Sequence, residues 1–325
     1  MASSGHAPLS RRDVLQAGFA LGASLGTAAL WSADPARAAA GDAGAAERLP
    51  LITKTIPASG EHLPAIGLGT DKFRDSERDA IRDEIARMQQ LGSTVIDTSA
   101  DYGESEAVLG QTLSTLGLAD RMFVATKLTA SGEGFGSDGV GGAASFERSL
   151  QRLRTRRIDL LQVHNLDGVD QLMPQMQRWK QSGQVRYLGI TTSEVAQHAD
   201  MMAYMHRYPL DFIQVDYSLD NRAAAGDVLP LALERRMAVL VNIPFGYGTL
   251  LREAQHRRLP PWASDIDVTS WGQFLLKYVI SHPAVTAAIP GSTQVAHLVD
   301  NQGAARGRLP DAAMRRRMEQ FWDAS

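Results

Sequence analysis

The chain has 325 residues, 44% of them hydrophobic and 21% charged, with a formal net charge of −3. That length and composition suffice to bury a large core, and the absence of a basic surplus or a block of like charge argues against a nucleic-acid partner. Cysteine is absent, which excludes disulfides, thiolate metal sites and a cysteine nucleophile.

Residues 1–40 differ in kind from the rest. Ser10, Arg11, Arg12, Asp13, Val14 and Leu15 form a twin-arginine pattern, and no charge appears from Val14 to Ala33. Small residues then offer cleavage after Ala38 or Ala40. A charged start, a moderately apolar middle and a small-residue end make a signal peptide of the twin-arginine type. A membrane-anchoring helix is the alternative, but Gly18, Gly22, Ser24, Gly26 and Thr27 dilute the segment. The expectation is a cleaved leader over 1–40, a mature domain over 41–325, and export to the periplasm or beyond through the twin-arginine machinery.

In the mature part, residues 52–56 and those around Leu63 flank an Ala58-Ser59-Gly60-Glu61 turn and predict a hairpin. Strand-like and helix-like patterns then alternate. Residues 65–70 precede a helix over 77–91, 93–98 precede 104–116, 123–128 precede 145–153, and 159–164 precede 171–181. Residues 185–191 precede 195–207, 212–217 precede 227–236, 238–244 precede 270–281, and 285–290 precede 295–304, with a last helix over 311–322. The strands are short and almost continuously apolar, as strands covered on both faces must be. The helices space their apolar residues at three and four. Eight such units predict an α/β fold, a (β/α)8 TIM barrel with an N-terminal hairpin and an extra C-terminal helix, ahead of a doubly wound sheet. Function is then expected on the loops that follow the strands. Residues 129–142 and 246–268 form long irregular loops there, fit for lids or substrate walls.

Three successive strand ends carry chemistry. The second barrel strand ends at Asp97 with Tyr102 in the loop beyond, the third ends at Lys127 and the fourth at His164. Each alone has an ordinary reading, as a cap, a packed aromatic, a solvated cation or a satisfied histidine. In order on neighbouring strands, they describe a site.

From about Ile52 to Asn301 the chain resembles an aldo-keto reductase. The resemblance is carried by GLGT at 67–70, DTSADYGESEAVLG at 97–110, TK at 126–127 and QVH at 162–164. It continues through LGITT at 188–192, QVDY at 214–217, PFGYG at 244–248, IPGS at 289–292, and Asp300 with Asn301. It implies NAD(P)H-dependent reduction of an aldehyde or ketone, with Tyr102 as general acid. Lys127 would ease proton loss from the phenol, whose ordinary pKa of about 10 makes it a weak acid. Asp97 would pair with Lys127, and His164 would orient the carbonyl.

The resemblance further implies a nicotinamide cofactor extended over the barrel mouth, NADP ahead of NAD. Gln214 and Thr191 would hold its carboxamide, with Thr192 and Asn242 beside it. Gly69, Thr70 and Asp71 would lie near the adjoining ribose, and Pro244, Phe245, Gly246, Gly248 and Leu250 along the pyrophosphate. Pro290, Gly291, Ser292, Thr293, Gln294, His297, Asp300 and Asn301 would meet the adenosine end. The departures are informative. Thr191-Thr192 stands where many relatives have Ser-Asn, and Asn242 stands where the family's stacking aromatic is expected. No Lys or Arg falls at 291, 294 or 297 to grip a 2′-phosphate.

Other patterns carry less. Gly134, Gly136 and Gly139 match a dinucleotide fingerprint but do not open from a strand into a helix. His198, His206 and His256 lack metal-ligand spacing, so no metal is expected. Arg315-Arg316-Arg317 reads as a solvated helix face. A small-molecule carbonyl substrate and a monomer are expected, with the pocket shaped by residues 71–73, Asn165 and residues 246–268. A non-catalytic exported barrel that binds a nucleotide or an envelope partner is the competing function.

Overall fold

A computed structural model describes residues 49–132 and 139–324. The leader over 1–40 and most of the Gly134–Gly139 run lie outside the described residues. An antiparallel hairpin, β1 (Thr53–Thr55) and β2 (His62–Pro64), precedes the barrel. Eight parallel strands follow: β3 (Leu68–Gly69), β4 (Val95–Asp97), β5 (Phe123–Leu128), β6 (Ile158–Val163), β7 (Val185–Thr191), β8 (Phe212–Asp216), β9 (Ala238–Asn242) and β10 (Ala287–Ala288). Each pairs with its sequence neighbour. Parallel bridges from Ile66 to Ala288 and from Gly69 to Gly291 join the first strand to the last. The expected (β/α)8 barrel, with its hairpin and C-terminal helix, is therefore present.

Helices α1 (Arg78–Gln90), α2 (Ser105–Leu116), α3 (Gly142–Arg152), α4 (Val169–Gln181), α5 (His198–Arg207) and α6 (Val228–Glu234) cover the strands. Beyond β9 come α7 (Thr249–Ala254) and α8 (Trp271–Ile280), and beyond β10 come α9 (Val295–Gly303) and the terminal α10 (Ala312–Asp323). The segment expected as irregular after β9 thus holds a helix, because Leu250 and Ala254 are both buried in the core. None of the described helices is long and apolar enough to cross a membrane.

Strand alternation places the site. Val95, Phe123, Ala125, Leu160, Tyr187, Phe212, Ala238 and Leu240 form an interior cluster closed by Ile56 and Leu63 of the hairpin. Tyr187 hydrogen-bonds Ser59 and Glu61 of the hairpin turn, which plugs the N-terminal end. Alternate residues such as Leu161, Val163, Ile190, Ile213, Val239 and Val241 belong instead to the cluster that includes the helix residues Met173, Met176, Met201 and Phe274. Because side chains repeat every second residue, the interior rows continue from Val95 to Asp97, from Ala125 to Lys127, from Phe212 to Gln214 and from Leu240 to Asn242. The lining is apolar below and polar at the mouth.

The Arg315-Arg316-Arg317 run is not simply solvated. Arg315 donates to Tyr217 Oη (2.6 Å) and Ser281 Oγ (2.7 Å), and Arg317 lies 4.4 Å from the centre of the Trp262 ring. A guanidinium can cover an aromatic face while keeping polar contacts, so α10 fastens to the loop after β9.

Candidate active site

At the barrel mouth Lys127 is fully buried and donates to Asp97 Oδ2 (2.5 Å), to the Thr98 carbonyl (2.8 Å) and to Tyr102 Oη (3.4 Å). Asp97 Oδ1 accepts from Gln214 Nε2 (2.8 Å). The loop between β4 and α2 is held by Ser105, whose hydroxyl lies 2.9 Å from Thr98 Oγ1 and 2.7 Å from Thr70 Oγ1. Gly103 follows Tyr102 at φ +62°, a left-handed turn that glycine takes without strain. His164 stands edge-on to the Tyr102 ring at 5.8 Å between centroids. Its Nδ1 lies 3.0 Å from Asp101 Oδ2 and 3.2 Å from Ser99 Oγ.

Burial pushes the Tyr102 phenol above its ordinary value, and Lys127 opposes this without reversing it. The ammonium-lowered phenol of the sequence reading is therefore outweighed by desolvation. Burial also disfavours the Lys127 ammonium, but Asp97 and Tyr102 more than offset it and hold its pKa above that of a free lysine. At neutral pH the mouth presents a protonated phenol beside a charged ammonium.

Asp97, Tyr102, His164 and Gln214 line one cavity of about 1280 Å³, with Lys127 buried behind its wall. Of the residues expected at a cofactor, Gly69, Thr70, Asp71, Asp97, Thr191, Gln214, Asn242, Pro244, Phe245, Gly248, Pro290, Gly291, Ser292, Thr293 and His297 line it. Thr192, Gly246, Leu250, Gln294, Asp300 and Asn301 do not. Thr192 is buried against Gln197, Leu250 is in the core, and Gln294 is exposed at the start of α9. Asp300 accepts from Ser270 Oγ (2.7 Å) and Gln273 Nε2 (2.9 Å), an arrangement that ties α9 to the N-terminus of α8. Asn242 donates to the Thr192 carbonyl (3.0 Å), and its buried Oδ1 has no partner among the described residues.

The structure adds residues that strand-end reasoning passed over. Arg74, Asp101, Glu104 and Asp167 all line the cavity, beside Lys72 of the expected 71–73 wall. Asn165, also in the wall, takes φ +49° directly after His164, and its N–H donates to Thr191 Oγ1 (3.1 Å). No group of three or more His, Cys, Asp or Glu among the described residues is placed to hold a metal.

Comparison with known proteins shows what the chain is similar to. A model of the aldo/keto reductase family matches residues 65–322. Methylglyoxal reductase YeaE of Escherichia coli is 27% identical over 270 residues, covering 80% of this chain and 92% of the relative. The uncharacterized oxidoreductase Rv2298 of Mycobacterium tuberculosis is 30% identical over 300 residues, covering 76% and 88%. An aldo/keto reductase from Klebsiella pneumoniae, solved in complex with NADP and acetate, superposes with a TM-score of 0.68 at 26% identity, covering 81% of this chain and 93% of that one.

Proposed function

The chain belongs to the aldo/keto reductase family, and from that premise we propose that it reduces aldehyde or ketone carbonyls with NADPH or NADH, using Tyr102 as the general acid. The observation that carries this reading is the chain of contacts from Asp97 through Lys127 to Tyr102 Oη at the cavity wall.

A dinucleotide suits the cavity. Its volume exceeds the range of about 300–1,000 Å³ usual for one small ligand, leaving room for cofactor and substrate together. Asn242 Oδ1, unpartnered among the described residues, suits an amide N–H. A Cβ on Gly69 would come within 2.9 Å of the Ile289 carbonyl, so the first strand crosses close to the last at the rim. Lys72 and Arg74 bring positive charge to the same wall. When bound, the reduced nicotinamide supplies a hydride to the carbonyl carbon.

This chain's own residues manage the proton. Tyr102 Oη–H points its proton at the oxygen on which negative charge builds, and Lys127 stabilises the phenolate left behind. Asp97 keeps Lys127 charged and oriented, while His164 hydrogen-bonds the same substrate oxygen. Titration of residues 41–325 with NADPH and NADH, followed by cofactor fluorescence, tests the reading together with turnover of a simple aldehyde. Binding, with turnover abolished in Tyr102→Phe, supports it; no binding of either cofactor favours a non-catalytic barrel.

The twin-arginine pattern over 1–40 supports export in a folded state, with the cofactor loaded beforehand. Mass spectrometry of the exported protein would find a cleaved N-terminus after Ala38 or Ala40 and a retained nucleotide; a cytoplasmic, uncleaved chain would overturn this.

A further inference from the structure

Asp101 sits one residue before Tyr102, is 4% exposed, and places Oδ2 3.0 Å from His164 Nδ1. Its backbone N–H donates to Ser99 Oγ (3.2 Å), and that hydroxyl also lies 3.2 Å from the same ring nitrogen. An ionised carboxylate only accepts hydrogen bonds, so Nδ1 must carry the hydrogen. In a neutral imidazole the other nitrogen, Nε2, is then a bare acceptor. Nε2 has no hydrogen-bond partner among the described residues, and His164 lines the cavity. A carbonyl oxygen is itself an acceptor, so a neutral His164 of this tautomer has nothing to offer it.

We propose that Asp101 is a positioning residue that locks His164 with its hydrogen on Nδ1, so that carbonyl reduction uses the imidazolium and alcohol oxidation uses the neutral ring. In the imidazolium both nitrogens donate: Nδ1–H to Asp101, Nε2–H to the substrate oxygen as charge develops on it. In the neutral ring Nε2 accepts from the O–H of an alcohol, the substrate of the reverse reaction. The proton that ends on the alcohol oxygen still comes from Tyr102. Around the ring stand Tyr102 in edge contact, the Lys127–Asp97 pair behind it, and Asp71, Glu104 and Asp167 along the same cavity. Among these carboxylates Asp101 alone is within hydrogen-bond distance of the ring. The inference rests on the carbonyl-reductase reading for its kinetic consequence but not for the tautomer.

Nitrogen NMR of histidine-labelled mature protein, with the His164 signals assigned by their loss in His164→Gln, reads the tautomer directly. Wild type and Asp101→Asn, whose amide oxygen still accepts from Nδ1, are expected to show the Nδ1–H form; Asp101→Leu is expected to shift toward Nε2–H. In kinetics, kcat/KM for aldehyde reduction by wild type should fall about tenfold per pH unit above the His164 titration seen by NMR. The fall should vanish in Asp101→Leu, which can donate from a neutral ring. An Nε2–H tautomer in wild type, or an unchanged pH profile in Asp101→Leu, overturns the proposal. A wild type with the Nδ1–H tautomer and no reductase activity at any pH would instead defeat the carbonyl reading and leave the Asp101–His164 lock standing.

Discussion

Lys127 Nζ lies 2.5 Å from Asp97 Oδ2, and neither side chain is more than 3% exposed. Two charges taken this far from water are tolerated only as a pair, with their remaining hydrogen bonds made. Both conditions are met, by the Thr98 carbonyl for Lys127 and by Gln214 for Asp97. Removing either partner leaves an uncompensated buried charge, at a typical cost of about 3–5 kcal/mol. Asp97→Asn and Lys127→Met should each lower the unfolding free energy by that order, and the double variant should recover part of the loss. Urea denaturation analysed as a double-mutant cycle measures the coupling. Single-variant losses below about 1 kcal/mol would show that the pair is not the strut described. Both variants should also lose reductase turnover by at least about a hundredfold.

Glu84 is another buried acid, and among the described residues no cation pairs with it. It is fully buried on α1, and neither carboxylate oxygen makes a well-formed hydrogen bond among the described residues, the Ser292 hydroxyl lying nearby. Burial raises its pKa to about 7, with Ser292 opposing weakly. Between the ordinary value of 4.5 and that raised value, the unfolded chain loses the proton that the folded chain keeps. Stability is therefore fully present below pH 4.5 and falls as pH rises to about 7. At about 1.4 kcal/mol per unit, the loss is on the order of 3 kcal/mol. Glu84→Gln should flatten this part of the profile and be the more stable protein at pH 8, with little difference at pH 4.5. Melting temperatures across that range decide it, and parallel curves for the two proteins would count against the assignment.

Lys277 works through backbone carbonyls. It is fully buried on α8, and its ammonium donates to the carbonyls of Ile266 (2.7 Å), Arg306 (2.6 Å) and Arg308 (2.8 Å). It thus gathers the loop after β9 and the segment before α10 at one point. Burial lowers its pKa to about 8, partly offset by Asp267. Lys277→Met keeps the apolar stem and orphans three acceptors, each costing about 1–3 kcal/mol if no water replaces the donor. A destabilisation of about 2–5 kcal/mol is expected. Hydrogen exchange should show the segments around Ile266 and Arg308 opening first; uniform loss of protection over the barrel would contradict a local clasp.

The barrel was legible because its signals are local and repeated: short apolar strands, helices spaced at three and four, and polar residues where each strand stops. Asp97, Lys127 and His164 were found by that last rule, and strand alternation explains why they converge. What escaped depends on distance through space rather than along the chain. The Asp101–His164 contact joins positions 63 residues apart, and Asp101 by itself reads as one more loop acid. The direction of the Tyr102 shift also escaped, since sequence names its neighbours but not the depth at which they meet. Glu84 did leave a trace, because it falls with Ile81, Ile85 and Met88 on the buried stripe of α1. A carboxylate at such a position is a buried charge by spacing alone.

The cavity end proposed for adenosine makes the last prediction. Ser292, Thr293 and His297 line it, Gln294 stands exposed at the start of α9, and no Lys or Arg occupies 291, 294 or 297. A 2′-phosphate there would meet hydroxyls and backbone N–H groups but no guanidinium or ammonium from these positions. Charge-assisted hydrogen bonds contribute about 1.5–3 kcal/mol, against about 1 kcal/mol for neutral ones. NADPH and NADH should accordingly bind with dissociation constants within about tenfold of each other, a difference of about 1.4 kcal/mol. Gln294→Arg should tighten NADPH by about tenfold to a hundredfold and leave NADH nearly unchanged. The gain should shrink with added salt, because an exposed ion pair is screened. Fluorescence titration with both cofactors at two ionic strengths measures all of this. Equal tightening of both would place the new arginine on the pyrophosphate, and no tightening of either would mean that the 2′-hydroxyl end of the cofactor lies elsewhere in the cavity.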